Sequence, residues 1–65
     1  MPRVVLIVSS VHGDHLLMSA PLETQAAQDW LKKIDVAMGA ATSTVETDWA
    51  TVRKDKVVGA YLSDI

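Results

Sequence analysis

Val4-Val5-Leu6-Ile7-Val8 is an unbroken apolar run near the start of a chain of only 65 residues. Side chains along a strand alternate between the two faces of a sheet, so a strand that is apolar throughout has to be sheltered on both. A domain of this length buries only about 60% of the surface its unfolded chain exposes, which leaves little material for two shelters. The run therefore predicts a surplus apolar face and, with it, association with another chain.

Small folds make up the shortfall with disulfides, a structural metal or oligomerisation. The sequence contains no cysteine, which removes disulfides, thiolate zinc sites and thiol nucleophiles together. Oligomerisation is the supplement left with most support, and a homodimer its simplest form. Hydrophobic content of 49% with 22% charged residues lies in the globular range and predicts one folded domain over residues 1–65.

The formal net charge is −2, and Arg3, Lys32, Lys33, Arg53, Lys54 and Lys56 are interleaved with acids. A nucleic-acid binder neutralises several phosphates at once and carries a basic stripe, so this balance argues against a nucleic-acid partner. The one basic cluster, Arg53 to Lys56, reads as a solvated turn tip. Met1 to Val11 has the outline of a signal peptide, but His12, Asp14 and His15 interrupt it before any cleavage site. No stretch reaches the 18 or so apolar residues of a membrane span. The expectation is a cytoplasmic protein without a membrane partner.

Arg3 to Val11 reads as a strand, His12-Gly13-Asp14 as a turn, and Leu16 to Ala20 as a second short strand ended by Pro21. From Leu22 the period becomes helical: Leu22, Ala26, Ala27, Trp30, Leu31, Ile34 and Met38 share a face, with Pro21 and Glu23 suited to the first turn and Gly39 to the C-terminal cap. Thr44 to Val52 alternates as a strand, Arg53 to Lys56 turns, and Val57 to Leu62 returns. A three-residue loop there sets Trp49 opposite Tyr61, an aromatic pair worth up to about 1 kcal/mol. The predicted fold is α+β: a small four-stranded, mainly antiparallel sheet, ββαββ or βαββ, with one amphipathic helix on one face.

His12-Gly13-Asp14-His15 is the only cluster of metal-capable side chains. Its ordinary reading is a polar hairpin turn in which Asp14 bonds backbone amides; the competing one is a metal-ion or small-molecule site completed by a distant ligand. Ser9-Ser10-Val11-His12-Gly13-Asp14, following an apolar strand, superficially resembles the first motif of calcineurin-like metallophosphoesterases. It departs from that motif at the metal-bridging aspartate, here Ser10, and the family's later motifs are missing, so the match is read as coincidence. Ser9, Ser10 and Ser19 lie near histidines in sequence without defining a nucleophile and its base. Glu46 and Asp48 share a predicted strand face, where carboxylates usually meet solvent. Neither an enzymatic activity nor a cofactor or metal is expected.

Trp30 belongs to the apolar helix stripe, and Trp49 is divided between core and interface. The functional expectation is a small non-catalytic, homo-oligomeric protein-binding module, a regulatory, inhibitory or accessory factor of the phage or mobile-element type that docks on a larger protein. Val4, Leu6, Val8, Trp49 and Tyr61 are its candidate contact residues. The alternative is a metal-ion or small-molecule binding protein using the His12–His15 turn.

Overall fold

A computed structural model describes residues 1–64. The elements run β1 (Arg3–Ser10), β2 (Gly13–Met18), α1 (Thr24–Gly39), β3 (Thr44–Glu46), β4 (Thr51–Arg53), a 3₁₀ turn (Lys54–Lys56) and β5 (Val57–Ser63). One antiparallel sheet has the order β2-β1-β5, and β3 and β4 form a separate two-stranded hairpin. The molecule is α+β with antiparallel strands and one helix, as expected. The apolar run occupies the central strand, where backbone groups pair on both sides and β-branched side chains pack best.

The turn between β1 and β2 is built by Ser10 and Gly13. Gly13 has φ +110°, while Val11 and His12 keep negative φ, the combination expected of a type I turn closed by a glycine bulge. Ser10 Oγ accepts from the His12 amide at 3.2 Å and donates to the Gly13 carbonyl at 2.9 Å. A Cβ at Gly13 meets no atom within 4 Å, so the cost of Gly13→Ala is the backbone conformation alone. A loss of about 1–2 kcal/mol is expected in a urea titration.

α1 begins later than Pro21 and Leu22 suggest. The Leu22 amide donates to the Pro2 carbonyl at 2.8 Å, and the Ser19 amide donates to Val4 at 2.9 Å. These bonds carry the β1–β2 pairing on into the connection and hold it out of the helix. The helix opens at Thr24 with Glu23 as N-cap, whose side chain makes no capping bond. At the other end Gly39 is the last helical residue and not a left-handed cap. Ala40 leaves in extended geometry, its amide bonds the Ala37 carbonyl at 3.2 Å, and Lys54 Nζ donates to the Ala40 carbonyl. The bond from the Ala40 amide satisfies one carbonyl of the last turn without a left-handed residue.

The expected second hairpin, Thr44–Val52 against Val57–Leu62, does not form. Thr47 folds this segment back on itself: its amide donates to the Ala50 carbonyl at 2.8 Å, and its Oγ1 accepts from the Ala50 amide at 3.0 Å. Threonine hydroxyls stabilise turns in this way at the expense of a continuous strand. β3 therefore pairs with β4, through Thr44–Arg53, Val45–Val52 and Glu46–Thr51. β5 is left free to pair with β1, and Tyr61 stands beside Val5 and not beside Trp49.

Candidate functional site

The helix side of the sheet is filled. Val4, Leu6, Ala27, Ile34 and Val45 form a buried cluster, with Val8, Leu17, Trp30, Trp49, Ala60 and Leu62 packed around it. Trp49 leans edge-on against Trp30 at a centroid distance of 5.3 Å and an interplanar angle of 75°, and its indole N–H donates to the Leu17 carbonyl at 3.1 Å. The turn of the β3–β4 hairpin is thereby fastened to β2. Lys33 Nζ lies 4.7 Å from the Trp30 ring centroid and covers its solvent side with a cation.

Four of the five contact residues expected from sequence therefore lie on this side. Val4 and Leu6 are 0% exposed and have no surface to offer, while Val8 and Trp49 are half-buried against the same cluster. Both alternation sets of β1 are apolar, and the helix chose the one containing Pro2, Val4, Leu6 and Val8. Tyr61 alone remains on an exposed face.

That face carries the other set. Residues paired across the sheet share a face, so Val5 lies with Met18 and Tyr61, and Ile7 with Leu16 and Gly59. Val5 is buried at 1% exposure although it stands outside the helix-side cluster. It lies between its β2 and β5 partners at the bottom of this face and, like Val4 and Leu6, offers no surface of its own. Leu16, Met18 and Tyr61 are 53%, 45% and 41% exposed around it. Gly59 has no side chain beside Ile7, so the face dips there. Arg3 with Ser63 closes one end and Ser9 with Asp14 the other, giving an apolar centre inside a polar rim, the usual anatomy of an interface. Three strands about 4.8 Å apart, paired over about six residues of 3.4 Å, span on the order of 300 Å². Total accessible surface is 4387 Å², against about 4000 Å² for a compact monomer of this size.

Sequence reading missed Val5, Ile7, Leu16 and Met18. The available signal was Arg3 and Ser9, which belong to the same alternation set as Val5 and Ile7 and mark it as the set meeting water.

The His12–His15 turn is arranged differently from a metal centre. Asp14 pairs with Ser9 and His15 with Val8, so the two side chains leave opposite faces of the sheet. Among the described residues no group of three or more histidine, cysteine or acidic side chains is placed to hold a metal ion. His15 Nε2 is 3.0 Å from Ser10 Oγ. The same hydroxyl also contacts the Gly13 carbonyl and the His12 amide, which ties Ser10 into the turn. Ser19 is buried, with Oγ accepting from the Val4 amide at 2.9 Å and donating to the Ala20 carbonyl at 2.8 Å, which ties down the end of β2. Glu46 ends β3 while Asp48 lies in the following turn, so no strand face presents both.

No helix among the described residues is long and apolar enough to cross a membrane. No family model matches the chain, and no curated protein or solved structure matches it.

Proposed function

We propose that this chain is a small, non-catalytic, homo-oligomeric protein-binding module that lays the open face of its sheet on an apolar surface of a larger protein, as a regulatory, inhibitory or accessory factor. The observation that carries this reading is the rimmed apolar face of Val5, Ile7, Leu16, Met18 and Tyr61. Leu16, Met18 and Tyr61 stand exposed around the buried Val5, and the footprint of the face, on the order of 300 Å², is that of the largest apolar patch on an ordinary monomer, which is often a functional one. A patch of that size is below the roughly 800 Å² per partner of a lasting interface, so one copy alone docks transiently.

Leu16→Glu is the test. Leu16 is half exposed on an edge strand, so the substitution is expected to cost less than about 1 kcal/mol of folding stability. A charge on the docking face is expected to weaken binding at least about tenfold, or 1.4 kcal/mol. The partner is first captured from lysate of the source cells and identified by mass spectrometry; calorimetry on the purified pair then compares native chain, Leu16→Glu and Thr51→Glu, the last on the exposed β4. Equal affinity for native chain and Leu16→Glu would remove the sheet face from the interface.

A further inference from the structure

The open face belongs to a sheet with two free edges, and those edges are not alike. β2 bears Asp14 and His15, polar side chains of the kind that discourage strand pairing. β5 reads Val57-Val58-Gly59-Ala60-Tyr61-Leu62-Ser63, with neither a charge nor a proline. Its one irregularity is a bulge opposite Ile7 and Val8, which leaves the stretch from Gly59 onward regular. Val58 is 62% exposed. The bulge blunts the Val57–Gly59 end of this edge, and the remaining stretch to Ser63, with no charge or proline, is a template for another strand.

The space beside that edge has shape and charge. A groove of about 550 Å³ runs between α1 and β5, with Leu31, Ile34 and Met38 above Val57, Val58 and Ala60. Lys32 and Asp35 stand along its helical wall, one turn apart. Both are exposed, and among the described residues neither takes part in an ion pair. Opposite charges placed so on one helix are self-complementary: a two-fold axis crossing the groove between them sets Lys32 of each copy against Asp35 of the other.

We propose that a second copy of the chain docks here, β5 pairing antiparallel with β5 of the partner copy to make one six-stranded sheet. The axis of an antiparallel strand pair stands perpendicular to the sheet. Both helices consequently fall on one side, where Leu31 and Met38 close the grooves, and both open faces fall on the other. Two patches on the order of 300 Å² join into one of about 600 Å², close to the roughly 800 Å² per partner of a standard protein interface. The enlarged docking face rests on the function proposed above; the edge pairing does not.

Sedimentation equilibrium on the full chain between about 1 and 500 µM decides it. The expected result is a concentration-dependent dimer. Val58→Lys is expected to weaken dimerisation by about tenfold or more, with an unchanged circular dichroism spectrum, because Val58 is exposed at the bulge beside the pairing stretch and lines the groove, where a lysine sets a charge against the partner copy. Lys32→Glu is expected to weaken it by about fivefold, and Lys32→Glu with Asp35→Lys to restore it, since the exchanged charges again face opposites. Leu16→Glu is expected to leave dimerisation intact while weakening partner binding at least about tenfold, which separates this inference from the docking role. A monomer throughout the range overturns the proposal, as does a dimer indifferent to Val58→Lys. A double charge exchange that fails to restore association, or a dimer broken by Leu16→Glu, overturns it equally.

Discussion

Truncating Leu6 to alanine is expected to remove about 2–5 kcal/mol of folding stability. Leu6 sits at the middle of β1, fully enclosed between α1 and the paired strands β2 and β5. The loss combines the transfer free energy of the deleted carbons with the cavity left behind, and a central strand held by ladders on both sides has little freedom to collapse into it. A chain of 65 residues has a total stability on the order of 3–10 kcal/mol, so the substitution takes a large fraction of it. Urea unfolding at one fixed protein concentration is the measurement, because the proposed association with a second copy would add to apparent stability by mass action. Met18→Ala in the same experiment is expected to cost less than about 2 kcal/mol, its side chain being nearly half exposed. Equal losses at the two positions would mean that the helix covers the other face of the sheet.

Replacing Trp49 by alanine is expected to cost about 3–5 kcal/mol, comparable to Leu6 although Trp49 lies in a turn. Three contributions disappear together: apolar burial, the edge-on contact with Trp30 and the hydrogen bond from the indole to the Leu17 carbonyl. They separate experimentally. Trp49→Phe keeps a ring and removes the donor, so a cost of about 1–2 kcal/mol is expected, most of it the hydrogen bond and lost area. A double-mutant cycle between Trp49 and Trp30 is expected to return a coupling of about 0.5–1.5 kcal/mol for the ring pair. A coupling indistinguishable from zero would show that the two indoles do not touch in solution. Because Trp49 joins the β3–β4 turn to β2, its removal should also raise hydrogen exchange across β3 and β4 before the main sheet is affected.

Much of the architecture was legible because it follows from local chemistry. The Val-rich run could only be a strand, Gly13 could only be a turn, and the stripe from Ala26 to Met38 could only be a helix with one buried face. What escaped were pairings between distant segments. Nothing within Val57–Ser63 states that its partner is β1, 50 or so residues earlier, and not the adjacent Thr44–Val52. The choice was made by Thr47, whose hydroxyl and amide close a turn locally, so that β3 consumes β4 and releases β5. The misplacement of Trp49 opposite Tyr61 followed directly from that one turn. At the start of the helix the same logic applied: the Pro2 carbonyl is remote in sequence, yet it holds Leu22 in the connection and out of α1.

The need to shelter two apolar strand faces was legible in advance; which face the helix would take was only weakly marked. Five apolar residues in a row demand shelter on both faces, and the single chain largely provides it: Val4, Val5 and Leu6 are buried, while the exposed apolar side chains of the open face, Leu16, Met18 and Tyr61, stand on the flanking strands. A period of two assigns Val4, Leu6 and Val8 to one side and Val5 and Ile7 to the other with complete reliability, but periodicity is symmetric between the sides. Arg3 and Ser9 tilt that symmetry only slightly, since Ser10 ends the other set; the docking of α1 and the Trp49 turn settled it, because packing energy depends on which elements meet in space and not on their order along the chain. Composition and spacing therefore determined the number of faces; the tertiary structure decided which of them meets water.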